Sequence, residues 1–324
     1  MRYDSFIIFW GKDMKVVISA RNFVFEGCGA VDMLKAEGFE VVDATDCGIK
    51  NENDYYNIIK DADAVINAFE PMSRELIERC KKLKLISVRG VGYDYIDSDA
   101  CRKNNIAIAR TVGTVGDAVS EQAMAFILHF AREIDSLNSL MQSGKWERIM
   151  TEGTKGKTLG IIGFGEIGQA LAKKAEAFGM NVLYNCKTPK DEMKYGFSPL
   201  PELLEKSDYV ILALPLTEET RELIDKNALK KMKKSAVLIN VARSGIVDVN
   251  ALKNAVQSGE IRGAAVDVFE TEPCTDSVLK GIDNIILTPH TAPFTRTNFI
   301  EMNNLSAQNV INFFRHNIDK KYII

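Results

Sequence analysis

Three ionisable residues stand where an α/β chain does its chemistry. Arg243 follows the apolar run Leu238-Ile239-Asn240-Val241-Ala242, and Glu272 comes a few residues after Val266-Asp267-Val268-Phe269. His290 follows Ile285 to Thr288 and Pro289. In an open parallel sheet the C-terminal ends of the strands form the edge at which ligands bind. The chain has only three histidines. His129 lies in an apolar helical pattern and His316 near the polar C-terminus, where structural or solvated roles are expected. An imidazole is the usual group for moving a proton near neutral pH. His290 is therefore the acid/base candidate, by position and by elimination.

A second constellation lies upstream, in Thr-Leu-Gly-Ile-Ile-Gly-Phe-Gly-Glu-Ile-Gly from Thr158 to Gly168. Leu159, Ile161 and Ile162 read as a short buried strand, and Gly163, Gly165 and Gly168 then fall at G-x-G-x-x-G spacing. Ala170, Leu171, Ala175 and Phe178 recur at helical intervals, with Gly179 as the stop and Val182-Leu183-Tyr184 as the next strand. Strand, glycine turn, helix, strand is the context that gives this spacing meaning. Gly163 permits the tight turn, Gly165 lets backbone approach a pyrophosphate, and Gly168 lets helix and strand pack closely. The helix N-terminus then offers free N–H groups and partial positive charge to the phosphates.

The elements that must position these residues follow from size and pattern. At 324 residues the chain is expected to form two domains, because single cores stop growing near roughly 250–300 residues. A net charge of −3 offers no basic footprint for nucleic acid. The six cysteines, Cys28, Cys47, Cys80, Cys101, Cys186 and Cys274, are scattered without a Cys-x-x-Cys pair. That argues against zinc and for reduced thiols in a cytoplasmic protein. Phe6-Ile7-Ile8-Phe9-Trp10 is too short for a signal-peptide core. No apolar run approaches the ~20 residues that span a bilayer, so a soluble chain is expected, with no membrane partner.

In the first half, apolar runs at 16–18, 39–42, 64–67, 85–88 and 106–108 alternate with helical patterns at 30–37 and 54–60, and with helices starting at Ser73 and Asp97. Interleaving of this kind means right-handed crossovers and a parallel sheet. Val119 to Met141 reads as one long helix with a broad apolar stripe, ended by Gly144. The second half repeats the alternation, with strands at 208–214, 236–241, 264–269 and 285–287 and helices at 226–232 and 248–258. A last helical pattern covers 297–314.

Five segments in this order and spacing carry a resemblance: Gly163-Phe164-Gly165-Glu166-Ile167-Gly168, Leu214-Pro215-Leu216-Thr217, Asn240-Val241-Ala242-Arg243, Asp267-Val268-Phe269-Glu270-Thr271-Glu272-Pro273 and Thr288-Pro289-His290-Thr291-Ala292. The chain resembles the D-isomer-specific 2-hydroxyacid dehydrogenases, the family of D-lactate, glycerate (hydroxypyruvate) and D-3-phosphoglycerate dehydrogenases. The likeness implies that Arg243 binds the substrate carboxylate, for which its planar fork of donors is suited. It implies that His290 protonates the carbonyl oxygen as hydride arrives on carbon. Glu272, the glutamate preceding Pro273, is implied as the partner that orients the imidazole and favours its charged form. Glu166 and Ile167 are implied over the pyrophosphate, Leu214, Pro215 and Thr220 at the adenosine pocket, and Val241, Ala242, Arg243, Asp267 and His290 near the nicotinamide. For Asp267 the alternative is a strand-end residue capping a neighbouring loop. Arg89-Gly90-Val91-Gly92-Tyr93-Asp94 resembles the family's substrate loop, in which backbone N–H groups of Val91 and Gly92 would hold the carboxylate.

One departure bears on the coenzyme. NAD-specific members place an aspartate after the strand Val182-Leu183-Tyr184, where this chain has Asn185, then Cys186 and Lys187. NAD is expected; NADP is the alternative, because a missing carboxylate removes repulsion of a 2′-phosphate and Lys187 could pair with one. The resemblance further implies two flavodoxin- or Rossmann-like domains. Residues 1–113 with 290–324 would form a discontinuous substrate domain, and 114–289 the inserted NAD-binding domain. A homodimer through the long helix is also implied. Rival readings are a dinucleotide-sensing protein of the corepressor type and a formate- or phosphite-type dehydrogenase.

Overall fold

The structure, a computed structural model, describes residues 12–23, 27–189 and 194–324. The Phe6–Trp10 run lies outside them. The chain divides into two units, one made of residues up to Val115 together with Thr295–Ile324, the other of Gly116–Phe294.

In the first unit, β1 (Lys15–Ile18), α1 (Ala30–Ala36), β2 (Glu40–Asp43), α2 (Glu52–Ile59), β3 (Ala64–Asn67), α3 (Arg74–Arg79), β4 (Leu85–Val88), α4 (Ser98–Lys103) and β5 (Ala107–Arg110) alternate strictly. The five strands pair in parallel in the order β2-β1-β3-β4-β5. β3 and β4 are buried at every position, as a parallel sheet covered on both faces requires. Short polar side chains start the helices: Asn51, Ser73 and Asp97 each accept the N–H three residues on, which satisfies a donor the helix cannot pair itself.

The second unit contains α5 (Gly116–Arg132), α6 (Ile134–Gln142), β6 (Thr158–Ile162), α7 (Glu166–Ala177), β7 (Asn181–Asn185), β8 (Gly196–Phe197), α8 (Leu200–Lys206), β9 (Tyr209–Leu212), α9 (Lys226–Lys231), β10 (Val237–Asn240), α10 (Val249–Gln257), β11 (Gly263–Val266) and β12 (Ile285–Leu287). Its sheet runs β12-β11-β10-β9-β6-β7-β8, parallel throughout. Strand order reverses beside β6, so the glycine turn leaves the sheet at its topological switch point, where such folds bind ligands.

α11 (Arg296–Phe314) returns to the first unit. Its Ala307, Val310, Ile311 and Phe314 pack with Val16, Ile18, Leu34 and Ile66. Burying each of the three larger side chains is worth about 1.5–3 kcal/mol, enough to fix this late segment onto the first sheet. Ser87 Oγ also donates to the Ser306 carbonyl at 2.9 Å.

The structure departs from the sequence reading in three places. The expected single helix 119–141 is two helices, broken at Glu133, which takes a left-handed φ of 47°. Arg262 Nη2 donates to the Phe130 carbonyl and to Glu133 Oε1, both at 2.8 Å. That carbonyl is the one the amide of Ile134 would take in a continuous helix, so a side chain from the far end of the unit replaces a helical bond. α8 and the two-residue β8 lie in a stretch the sequence reading leaves unassigned, although Leu200, Leu203 and Leu204 of α8 stand at helical spacing and the last two are buried. Lastly, the unit boundaries fall at 115/116 and 294/295, not at 113/114 and 289/290. His290 therefore stays with Arg243 and Glu272, because its N–H is bonded to the Asp267 carbonyl at 2.8 Å.

Candidate active site

β6 delivers the chain into the glycine turn. Gly163 has φ 95°, and a Cβ there would lie 2.3 Å from the Ala213 carbonyl oxygen. A Cβ on Gly168 would lie 2.4 Å from the Gly163 carbonyl oxygen, whereas one on Gly165 would meet nothing within 4 Å. Two glycines are thus required by packing, and the middle one opens a space against bare backbone. α7, twelve residues long, begins there without a side-chain cap. Its first N–H groups and positive end are left for an anion. These features fit a dinucleotide pyrophosphate. Glu166 turns its carboxylate to the Gly116 N–H at 2.9 Å, capping α5 from a neighbouring element, and Ile167 follows on the first turn.

β10, β11 and β12 position the ionisable residues. Asn240, the last residue of β10, accepts the Ala242 N–H with Oδ1 at 3.0 Å and donates from Nδ2 to the Arg243 carbonyl at 2.9 Å. This brace turns the backbone and presents half-buried Arg243, whose Nη1 donates to the Ala242 carbonyl at 2.8 Å. Val241 and Ala242 are buried beside it. After β11 the chain brings Glu272 back onto its own start, with Oε1 accepting the Phe269 N–H at 2.9 Å. Glu272 Oε2 meets His290 Nδ1 at 2.7 Å. Burial alone would push the Glu272 carboxyl up. The His290 hydrogen bond, the Phe269 N–H and the charges of His290 and Arg243 outweigh it, holding the carboxyl below its ordinary value of 4.5.

A carboxyl depressed on folding stabilises the folded state above its unfolded value, and that contribution is lost as pH falls through the folded value. Wild type is thus expected to lose stability in acid, below about 4.5, more steeply than Glu272→Gln. Urea melts of both proteins between pH 3 and 6 check this; parallel curves would refute it.

Asp267, expected near the nicotinamide, is fully buried. Its Oδ1 accepts the Thr288 hydroxyl at 2.5 Å and the Thr291 N–H at 2.9 Å, and its Oδ2 the Ala292 N–H at 2.9 Å. Asp267 thus braces the neighbouring loop from the end of β11, as the strand-end alternative describes. That loop is the one carrying His290, which it holds in a left-handed conformation at φ 52°. Thr288, the hydroxyl partner, was not singled out by sequence. Asp267→Ala strands three donors, the Ala292 N–H buried and those of Thr288 and Thr291 half-buried, and is expected to cost about 2–3 kcal/mol, seen as a fall of several degrees in Tm. An unchanged Tm would refute this role.

At the other side of the glycine turn, Asn185 closes β7. Its carbonyl accepts the Gly163 N–H at 2.9 Å and its Nδ2 donates to the Ser198 carbonyl at 2.9 Å. Lys187 is held by Glu219 at 2.8 Å, a partner that sequence, 32 residues away, did not signal. Leu214 packs beside the second unit's core and Pro215 is exposed. Thr220 Oγ1 donates to the Pro215 carbonyl at 2.8 Å.

In the first unit, Thr111 holds the loop after β4: its Oγ1 accepts the Gly90 N–H at 2.9 Å, and its own N–H donates to the Gly90 carbonyl at 2.9 Å. Among the described residues, the N–H groups of Val91 and Gly92 have no hydrogen-bond partner. Also among the described residues, no group of three or more His, Cys, Asp or Glu is placed to hold a metal ion, and no helix is long and apolar enough to cross a membrane. The six cysteines are free thiols.

Comparison with known proteins meets this geometry. The family model described as D-isomer specific 2-hydroxyacid dehydrogenase, NAD binding domain, matches residues 124–292. A glyoxylate reductase of Pyrococcus horikoshii is 39% identical over 274 residues, covering 80% of this chain and 82% of that protein. A hydroxypyruvate reductase of Thermotoga maritima is 37% identical over 246 residues, covering 74% and 80%. The crystal structure of D-lactate dehydrogenase from Aquifex aeolicus, complexed with NAD and lactic acid, matches with a TM-score of 0.84 and 28% identity over 96% of this chain and 98% of that one. A dinucleotide turn at the switch point, an imidazole–carboxylate pair and this extent of identity have one common explanation: the chain belongs to the D-isomer-specific 2-hydroxyacid dehydrogenases, oxidoreductases that interconvert 2-hydroxy and 2-oxo acids with a nicotinamide dinucleotide.

Proposed function

We propose that the chain reduces a small 2-oxo acid, of the glyoxylate or hydroxypyruvate size, to the D-2-hydroxy acid with NADH. The observation that carries the reading is His290 Nδ1 at 2.7 Å from Glu272 Oε2, on the unit that also holds Arg243 and the glycine turn. The dinucleotide, when bound, supplies or accepts the hydride. Gly163, Gly165, Glu166, Ile167 and Gly168 hold its phosphates through backbone, with Asn185, Leu214, Pro215 and Thr220 at the adenosine end. Arg243 takes the substrate carboxylate and polarises the 2-oxo group. His290 donates its Nε2 proton to the carbonyl oxygen, while Glu272 holds Nδ1–H and stabilises the imidazolium. Val91 and Gly92 offer their N–H groups to the substrate.

The substrate size is supported by the relatives' activities, glyoxylate and hydroxypyruvate reduction. The exposed apolar residues Ile134, Met141, Trp146, Ile149 and Met150 are the surface this reading gives to a second copy. The free thiols suit a cytoplasmic enzyme. Oxidation of NADH with glyoxylate, hydroxypyruvate, pyruvate and a branched 2-oxo acid tests the reading. Turnover of the small acids with D-products supports it; no turnover of any of them, with NADH still bound, would replace it by a sensing role.

A further inference from the structure

β6 is flanked by β7 and β9, so the segments leaving those two strands pass on either side of the glycine turn. Lys187 comes from the first and Glu219 from the second. Lys187 Nζ meets the two carboxylate oxygens of Glu219 at 3.1 and 2.8 Å. The turn that carries Glu219 is closed on itself. Thr217 N–H donates to Thr220 Oγ1 at 2.7 Å, Thr220 Oγ1 donates to the Pro215 carbonyl at 2.8 Å, and Arg221 N–H donates to the Thr217 carbonyl at 2.9 Å. Glu219 is therefore presented from a defined backbone. Asn185, at the end of β7, contributes no charge and has Nδ2 committed to Ser198.

In βαβ dinucleotide folds an acid near the end of the second strand holds the ribose 2′-hydroxyl, and a cation there accommodates a 2′-phosphate. Here the strand end is neutral, and the cation two residues on is occupied by an acid from the neighbouring segment. We propose that Glu219 is the residue that selects the coenzyme. Its carboxylate engages Lys187 and places negative charge at the ribose end, so NADH is favoured over NADPH. This rests on the dinucleotide reading above.

The magnitude is bounded by exposure. Lys187 and Glu219 side chains are 83% and 72% exposed, so solvent and salt screen the pair. A 2′-phosphate offers Lys187 a stronger, doubly charged partner, and removing Glu219 removes both its competition and its repulsion. A gain of about ten-fold in NADPH affinity is the scale of one such charge-assisted contact.

The test is equilibrium binding of NADH and of NADPH, read by dihydronicotinamide fluorescence without substrate. The proteins are wild type, Glu219→Gln, Lys187→Ala and the double variant, at low salt and at about 0.5 M NaCl. Glu219→Gln is expected to tighten NADPH about ten-fold with NADH changed less than about two-fold. Against Lys187→Ala, the double variant is expected to keep only the smaller part of the gain that comes from lost repulsion, and the whole gain is expected to shrink at high salt. An affinity ratio unmoved by Glu219→Gln, or a gain undiminished by loss of Lys187, overturns the proposal and leaves the dinucleotide reading standing. Wild type that binds neither coenzyme overturns that reading and this one with it.

Discussion

His290→Asn is expected to lower kcat about 1,000-fold, within the roughly 10²- to 10⁴-fold range of general acid–base catalysis, while the dissociation constant for NADH stays within about two-fold. Asparagine is the informative choice because position 290 has φ 52°, a conformation that asparagine adopts more readily than other non-glycine residues. The backbone around it does not depend on the imidazole. The His290 N–H is bonded to the Asp267 carbonyl, and the Asp267 carboxylate holds Thr291 and Ala292. The loop thus keeps its shape when the ring is lost. His290→Ala removes the same proton donor but adds a left-handed strain of about 1–2 kcal/mol, so its loss of activity mixes two causes. Steady-state kinetics with glyoxylate and fluorescence titration of NADH check this. Activity within ten-fold of wild type in the asparagine variant would remove His290 from the chemistry.

Arg243→Lys is expected to lower kcat/KM for the 2-oxo acid by about 100- to 1,000-fold. Lysine keeps the positive charge that helps hold the Glu272 carboxyl below its ordinary value. What it loses is the planar fork that matches a carboxylate and a carbonyl oxygen together. Two hydrogen bonds to charged groups at about 1.5–3 kcal/mol each, partly replaced by an ammonium, leave a loss of about 3–4 kcal/mol. That energy corresponds to the stated factor. Arg243→Ala should lose at least as much and should also let the Glu272 carboxyl rise. A lysine variant as active as wild type would mean that charge alone, and not the guanidinium geometry, is used.

The glycine turn was readable because Gly163, Gly165 and Gly168 are local: their spacing and the apolar runs around them lie within thirty residues, and the backbone geometry they permit is set there. The placement of Arg243, Glu272 and His290 at strand ends was readable for the same reason, since each follows an apolar run that could only be a buried strand. The break at Glu133 was not readable. It is made by Arg262, whose side chain replaces a helical hydrogen bond from 129 residues away, and no periodicity within 119–141 records that competitor.

Sequence by itself determined most of the elements, because short buried strands and amphipathic helices are decided by neighbours along the chain; the break at Glu133 is the exception. It also determined which residue types reach the carboxyl edge of the second sheet. Tertiary structure alone decided the partners. It bonded Asp267 to the His290 loop, kept His290 on the unit of Arg243, and set Glu219 against Lys187. The physical reason is range: propensity and periodicity act over a few residues, whereas hydrogen bonds and ion pairs join whatever the packed strands bring within 3 Å, at any separation in the chain.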